Sequence, residues 1–209
     1  MSRPPSEAPR LLAVCGSLKP PPGSDQPSAV RELLHAALSV VEPVFPAIDR
    51  LDLRDARLPP FEGLPPTAHP DPAVRACHQR IRAAAGLAVA VPAYWGGIGG
   101  AFKSFVETVS GPAYDARSDC PFTGRPTVAL IVGADPASAR AAAAQWPALL
   151  AALGAPAPEP PVVLEDPADL PAARQAVNAF VGQIAGLARG LLLRGPAAGT
   201  PASDAELRP

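Results

Sequence analysis

The sequence predicts an α/β domain: a parallel β-sheet covered by helices on both faces. Three observations predict it. Five short β runs alternate along the chain with five segments of helical periodicity, the pattern of repeated strand–helix crossovers. Three of those runs, "LLAVC", "LAVAV" and "TVALIV", are continuously apolar rather than alternating, as expected of strands buried on both faces. The length, 209 residues, suits one such domain and is short for two.

Taken in order, residues 1–10 read as a disordered lead, and the folded domain spans 11–193. Leu11–Cys15 is the first strand, ending at Gly16-Ser17. A proline- and glycine-rich loop runs to Pro27, and Ser28 caps a helix whose apolar positions Val30, Leu33, Leu34, Ala37, Leu38 and Val41 recur at helical spacing. Val44–Leu53 holds a second strand, which Pro46 marks as an edge. "RLPPFEGLPPTAHPDP" is a loop by its prolines, and a helix follows over 71–85. Leu87–Val91 is the third strand, Gly100–Ser110 a helix, and "GPAYDARSDCPFTGRP" an excursion before the fourth strand, Thr127–Val132. Asp135-Pro136 opens an alanine-rich helix ending near Gly154. Pro161–Leu164 is a weak fifth strand and 168–193 a last helix. Residues 194–209 read as a low-complexity tail.

Composition excludes several classes. A hydrophobic content of 48% with a net charge of −1 is incompatible with wholesale disorder and gives no basic footprint for nucleic acid. No uninterrupted apolar run reaches the ~18 residues that span a bilayer, so no membrane association is expected. Cys15, Cys77 and Cys120 are odd in number and share no metal-type spacing, which reads as reduced thiols in a cytoplasm. Adjacent Cys77-His78 would point in different directions on a helix and is not read as a ligand pair. The N-terminal "MSRPPSEAPR" lacks the apolar region of a signal peptide.

Parallel sheets bind ligands at the carboxyl ends of their strands, so the loops beginning at Gly16, Pro92 and Gly133 carry the functional expectation. The first, "CGSLKPPPGSDQPS", offers a sharp turn at Gly16, hydroxyls at Ser17, Ser24 and Ser28, a cation at Lys19 and the start of a helix. Together these suit a phosphate. It matches neither the nucleoside-triphosphate loop nor the dinucleotide fingerprint G-x-G-x-x-G. The second, "VPAYWGGIGGAFK", sets Tyr94 and Trp95 beside four glycines, a backbone able to approach a flat ligand. The two lysines of the chain, Lys19 and Lys103, fall one in each loop region, whereas the other sixteen basic residues are arginine. Lys103 stands in the first turn of its helix, where a cation is mildly unfavourable, which suggests a contact with a ligand or a second subunit.

"CGSLK" followed by a serine-capped helix, and then "PAYWGGIGGAFKSFVE", resembles the NAD(P)H-dependent FMN reductases of the flavodoxin-like fold. That family shows G-S-x-R/K, then S-x-N/T-x-x-L, and later P-x-Y-N-G-S-I-P-G-x-L-K-x-x-I-D. Pro92, Tyr94, Gly96, Ile98, Gly100, Lys103 and Glu107 fall in step with the last motif without a gap. The chain departs from the pattern at Val30, where Asn or Thr is usual, at Trp95 in place of Asn, and at Gly99 in place of Pro.

The resemblance, which covers roughly residues 11–190, implies a three-layer sandwich with strand order 2-1-3-4-5. It implies FMN, its phosphate at Gly16, Ser17, Lys19 and Ser28 with the N–H groups of Ala29 and Val30. The isoalloxazine would lie along Pro92, Ala93, Tyr94, Trp95, Gly96 and Gly97, with Gly133, Ala134 and Asp135 closing the other side. It further implies hydride transfer from NADPH or NADH and delivery to free flavin, a quinone or another small electron acceptor. No catalytic side chain is required, because the cofactor carries the chemistry. A homodimer through the helix beginning near Gly100 is expected, from Phe102, Phe105, Val106 and Val109. Two other readings are a flavin-dependent enzyme for one specific substrate, with Trp95 shaping its pocket, and a non-enzymatic interaction module without cofactor.

Overall fold

Leu11–Cys15 (β1) is the axis of the sheet, fully buried and paired in parallel with strands on either side. In the computed structural model, which describes residues 9–45, 47–112 and 120–194, the five parallel strands are β1, β2 (Ile48–Asp52), β3 (Gly86–Tyr94), β5 (Thr127–Gly133) and β6 (Val162–Leu164). Their order is β2-β1-β3-β5-β6, which is the expected 2-1-3-4-5 when the parallel strands alone are counted. A sixth, two-residue strand, β4 (Gly97–Ile98), pairs antiparallel with the end of β3 and was not expected.

The period-two alternation of β1 divides the core. Leu12 and Val14 join Val89, Val91 and Ile131 under α3 (Pro72–Ala83), α4 (Gly100–Ser110) and α5 (Pro136–Leu153). Leu11, Ala13 and Cys15 join Ala88, Ala90 and Leu130 under α1 (Ala29–Val41) and α6 (Leu170–Arg194). The sheet is thus covered on both faces. The edge strand is shorter than the sequence suggested, and Leu53 belongs to a single-turn helix, α2 (Leu53–Ala56), capped by Asp52. In contrast, β3 is longer, for Pro92 and Ala93 continue it opposite Val132 and Gly133 instead of opening a loop.

Two expectations change here. Phe102, Phe105, Val106 and Val109 are all buried in the core, so they leave no apolar surface of their own for a second subunit. The window Leu170–Leu193 on α6 is long and apolar enough, by composition, to cross a membrane. Its stripe of Ala173, Ala176, Phe180, Ile184, Leu187 and Leu191 packs against the sheet, as in a core helix. The expected lead and tail lie almost wholly outside the described residues, as do residues 113–119 of the excursion before β5.

The chain passes from β1 to β2 on one side and then returns to β3 on the other. That switch brings together the loops leaving β1 and β3 at their carboxyl ends.

Candidate cofactor site

The loop after β1 begins tightly: Gly16 N–H donates to Ala90 O of β3 at 2.8 Å. Ser17 and Ser28 are each 1% exposed. Ser17 Oγ accepts from Lys19 N–H at 3.2 Å, and Ser28 Oγ accepts from Arg31 N–H at 3.3 Å as the cap of α1. Both hydroxyl protons, and the amide N–H groups of Ala29 and Val30, have no acceptor among the described residues. Three of these donors stand at one helix start and the fourth, the Ser17 hydroxyl, on the loop that Arg31 ties to it, donor chemistry that suits a phosphate dianion. Val30 contributes only its main chain, because its side chain is buried in the core beneath α1. Ser24 turns away, its hydroxyl donating to Pro21 O at 2.9 Å.

The loop after β3 is a hairpin. Tyr94 pairs with Gly97, which leaves Trp95 and Gly96 as a two-residue turn. Both have positive φ, 51° and 74°, the signature of a type I′ turn, in which Asn-Gly is favoured because bulky residues are strained there. The Trp95 side chain is wholly solvent-exposed. Side chains of α5 pin the turn: Gly96 N–H donates to Ser138 Oγ at 3.1 Å, and Gln145 bonds both Gly96 O and Ile98 N–H at 3.3 Å. Ser138 in turn donates its hydroxyl and its N–H to the Asp135 carboxylate, which caps α5. Those two hydrogen bonds hold the Asp135 carboxyl below the usual carboxylate range.

The two loops meet where Lys19 Nζ lies 5.9 Å from the centroid of the Tyr94 ring, within cation–π range. Burial raises the pKa of the Tyr94 phenol, so it remains a neutral hydroxyl. From the third side, Ala134 N–H donates to Ala93 O at 3.0 Å, which ties the end of β5 to the hairpin. Lys103, by contrast, is spent on its own helix, pairing with Glu107 one turn on.

Sequence reading missed the residues that hold these loops, namely Arg31, Asp52, Arg54, Ser138 and Gln145. Arg31 and Arg54 donate to the carbonyls of Ser17, Leu18, Lys19 and Pro20. Asp52, at the carboxyl end of β2, accepts from Arg31 at 2.6 and 3.0 Å. Its position at a strand end was the one signal available for it.

Comparison with known proteins fits this geometry. Among solved structures, FerB, a flavoenzyme NAD(P)H:(acceptor) oxidoreductase from Paracoccus denitrificans, superposes with a TM-score of 0.64 at 15% identity, covering 90% of this chain and 100% of that one. An NADH:FMN oxidoreductase, EMOB, in its apo form gives 0.61 at 18% identity, covering 92% of each chain. An oxidoreductase from Corynebacterium diphtheriae gives 0.60 at 18% identity, covering 90% and 99%. These likenesses establish the shared fold. No curated protein matches the sequence. The family model for NADPH-dependent FMN reductases matches residues 9–169, a span that contains β1 to β6 and both loops. The chain belongs to the NADPH-dependent FMN reductase family.

Proposed function

We propose that this protein is an NAD(P)H-dependent oxidoreductase that binds FMN between the loop after β1 and the hairpin after β3. Electrons pass from NADPH or NADH to free flavin, a quinone or another small acceptor. The observation that carries this reading is the set of donors at the start of α1 that have no acceptor among the described residues, set beside the aromatic hairpin of Tyr94 and Trp95. Ser17, Ser28, Lys19 and the N–H groups of Ala29 and Val30 would hold the phosphate. Pro92–Gly97 and Gly133–Asp135 would border the ring system. When bound, FMN supplies the hydride and electron chemistry, and the chain's part is to bind, orient and exclude water. One terminal phosphate suits this loop, which has no glycine fingerprint for a pyrophosphate. The same reading includes a cytoplasmic setting, in keeping with three free thiols, and a homodimer.

Mass spectrometry of ligand released on heating, with the absorbance of the purified protein, tests cofactor identity. FMN supports the assignment, and stoichiometric FAD refutes it. Turnover of NADPH or NADH with free FMN or a simple quinone then tests the reaction. The exposed Trp95 at the rim favours one second reading, an enzyme for a single specific substrate. Bound FMN without turnover on any simple acceptor would support that instead. Sedimentation at micromolar concentration reads the oligomeric state.

A further inference from the structure

We propose that Arg31 and Arg54 are positioning residues that orient the peptide planes of the first loop toward the flavin phosphate. The inference rests on the function proposed above. Every N–H of the Arg31 guanidinium is used. Nε and one terminal nitrogen grip Asp52 at 2.6 and 3.0 Å, and the remaining bonds go to Ser17 O at 3.1 Å, Lys19 O at 2.6 Å and Pro20 O at 3.1 Å. Arg54 takes the intervening carbonyl, Leu18 O, at 2.6 Å, and its own N–H caps onto Asp52 at 2.9 Å. Four consecutive carbonyl oxygens are thus held by two guanidiniums, one paired with Asp52 and the other borne on the helical turn that Asp52 caps.

In a planar trans peptide the N–H points opposite to the C=O. Drawing the Ser17 carbonyl toward the Arg31 guanidinium therefore aims the Leu18 N–H the other way, while the Lys19 N–H, opposite the Leu18 carbonyl, goes to Ser17 Oγ at 3.2 Å. Holding the four carbonyls also keeps their partial negative charges from facing a phosphate dianion. The loop's own main chain supplies one bond, from Ser28 N–H to Pro20 O at 3.0 Å, and Pro20, Pro21 and Pro22 have no N–H to add others. Arg31 sits in the first turn of α1, only three residues after the cap Ser28, so the same side chain fixes the loop against the helix start that completes the phosphate site. Lysine has the charge but not the planar fork.

The test is the ratio of FMN to riboflavin affinity, measured by fluorescence titration of apo-protein. The two ligands share the ring system and differ only in the phosphate. Arg31→Lys is expected to weaken FMN by about 10- to 100-fold, the loss of one or two charge-assisted bonds. Riboflavin binding should change by less than about twofold. The exposed Arg54→Ala, which leaves the core untouched, should weaken FMN by about 3- to 10-fold with riboflavin again unchanged. If both ligands weaken equally, or neither does, in the folded Arg54→Ala and Arg31→Lys proteins, the positioning role is wrong while the flavin reading stands. If wild-type protein binds neither ligand, the flavin reading itself fails and this inference falls with it.

Discussion

The loop after β1 and the hairpin after β3 meet at Lys19 and Tyr94 yet are held by opposite means. The first has three successive prolines and so few N–H groups that its carbonyls depend on partners far away in sequence, Arg31 on α1 and Arg54 on α2. The second keeps its main chain in a β-ladder, and only its tip needs holding, by short polar side chains of α5. A loop poor in N–H donors is shaped by long-range charge, and a hairpin by its own dihedral angles. The proposed phosphate end of the site should therefore respond to charge substitutions and the proposed ring end to steric ones.

The largest effect is expected at Gly133, which seats the start of α5 and, through it, the hairpin. A Cβ there would lie 2.7 Å from Ala139 Cβ, 2.7 Å from Asp135 O and 3.2 Å from Glu165 O. Two of these neighbours are backbone and cannot move cheaply. Gly133→Ala should cost about 2–3 kcal/mol in urea denaturation, the usual penalty of overpacking. A loss below about 0.5 kcal/mol would mean that α5 is not seated on this contact.

Next is Asp52→Ala, which acts on the other loop. It leaves the Arg31 guanidinium, 13% exposed, without its anion, and should cost about 1–2 kcal/mol. Limited proteolysis should then cut within residues 18–27 while sparing the hairpin. Equal protection of the first loop in variant and wild type would break the comparison on this side.

Ser138→Ala removes the link between Asp135 and the turn and should cost about 1 kcal/mol. It also carries a pH signature. The Asp135 carboxyl is held below its ordinary range by Ser138, so its contribution is fully present above the unfolded-state value and is lost as pH falls through the lower folded value. Wild type should lose this contribution below about pH 4, and in Ser138→Ala that portion of the acid limb should flatten. Parallel acid limbs in the two proteins would remove Ser138 as the cause.

The sheet was legible because β1, β3 and β5 are apolar runs that physical chemistry forces inside. Hidden was β4, whose two residues carry no period, and so was the extension of β3 through Pro92, a residue that ordinarily argues against a strand. Val30 illustrates two overlapping signals. Its spacing from Ser28 pointed to the phosphate, and its place in the stripe with Leu34, Leu38 and Val41 pointed to the core. The side chain obeys the stripe, while the N–H remains at the helix start. The tethers of the first loop had no local signature, since Arg31 and Asp52 are 21 residues apart and each alone resembles a surface charge. The resemblance at Pro92–Glu107 showed where to look and not what holds the loop there.

The smallest effect is the most diagnostic, because its expected sign is a gain. Trp95 has φ of 51°, a left-handed conformation that costs a bulky residue roughly 1–2 kcal/mol, and its side chain, 101% exposed, buries no surface in return within this chain. Asparagine tolerates the left-handed region better, and Asn-Gly is the preferred pair for this turn. Trp95→Asn should therefore stabilise the monomer by about 0.5–1 kcal/mol, a rise in Tm of about 1–4 °C for a chain of this size. The indole is the only packing the substitution could forfeit, so the sign of the change reports whether anything covers it. A rise independent of protein concentration confirms a strained, uncovered side chain. A fall that deepens with concentration would show that a second subunit buries Trp95, and the hairpin would then owe its strain to an interface and not to the turn. Repeating the melt with FMN separates the remaining source of cover: a gain in apo-protein that turns to a loss when FMN is added would mean that the indole packs on the bound flavin.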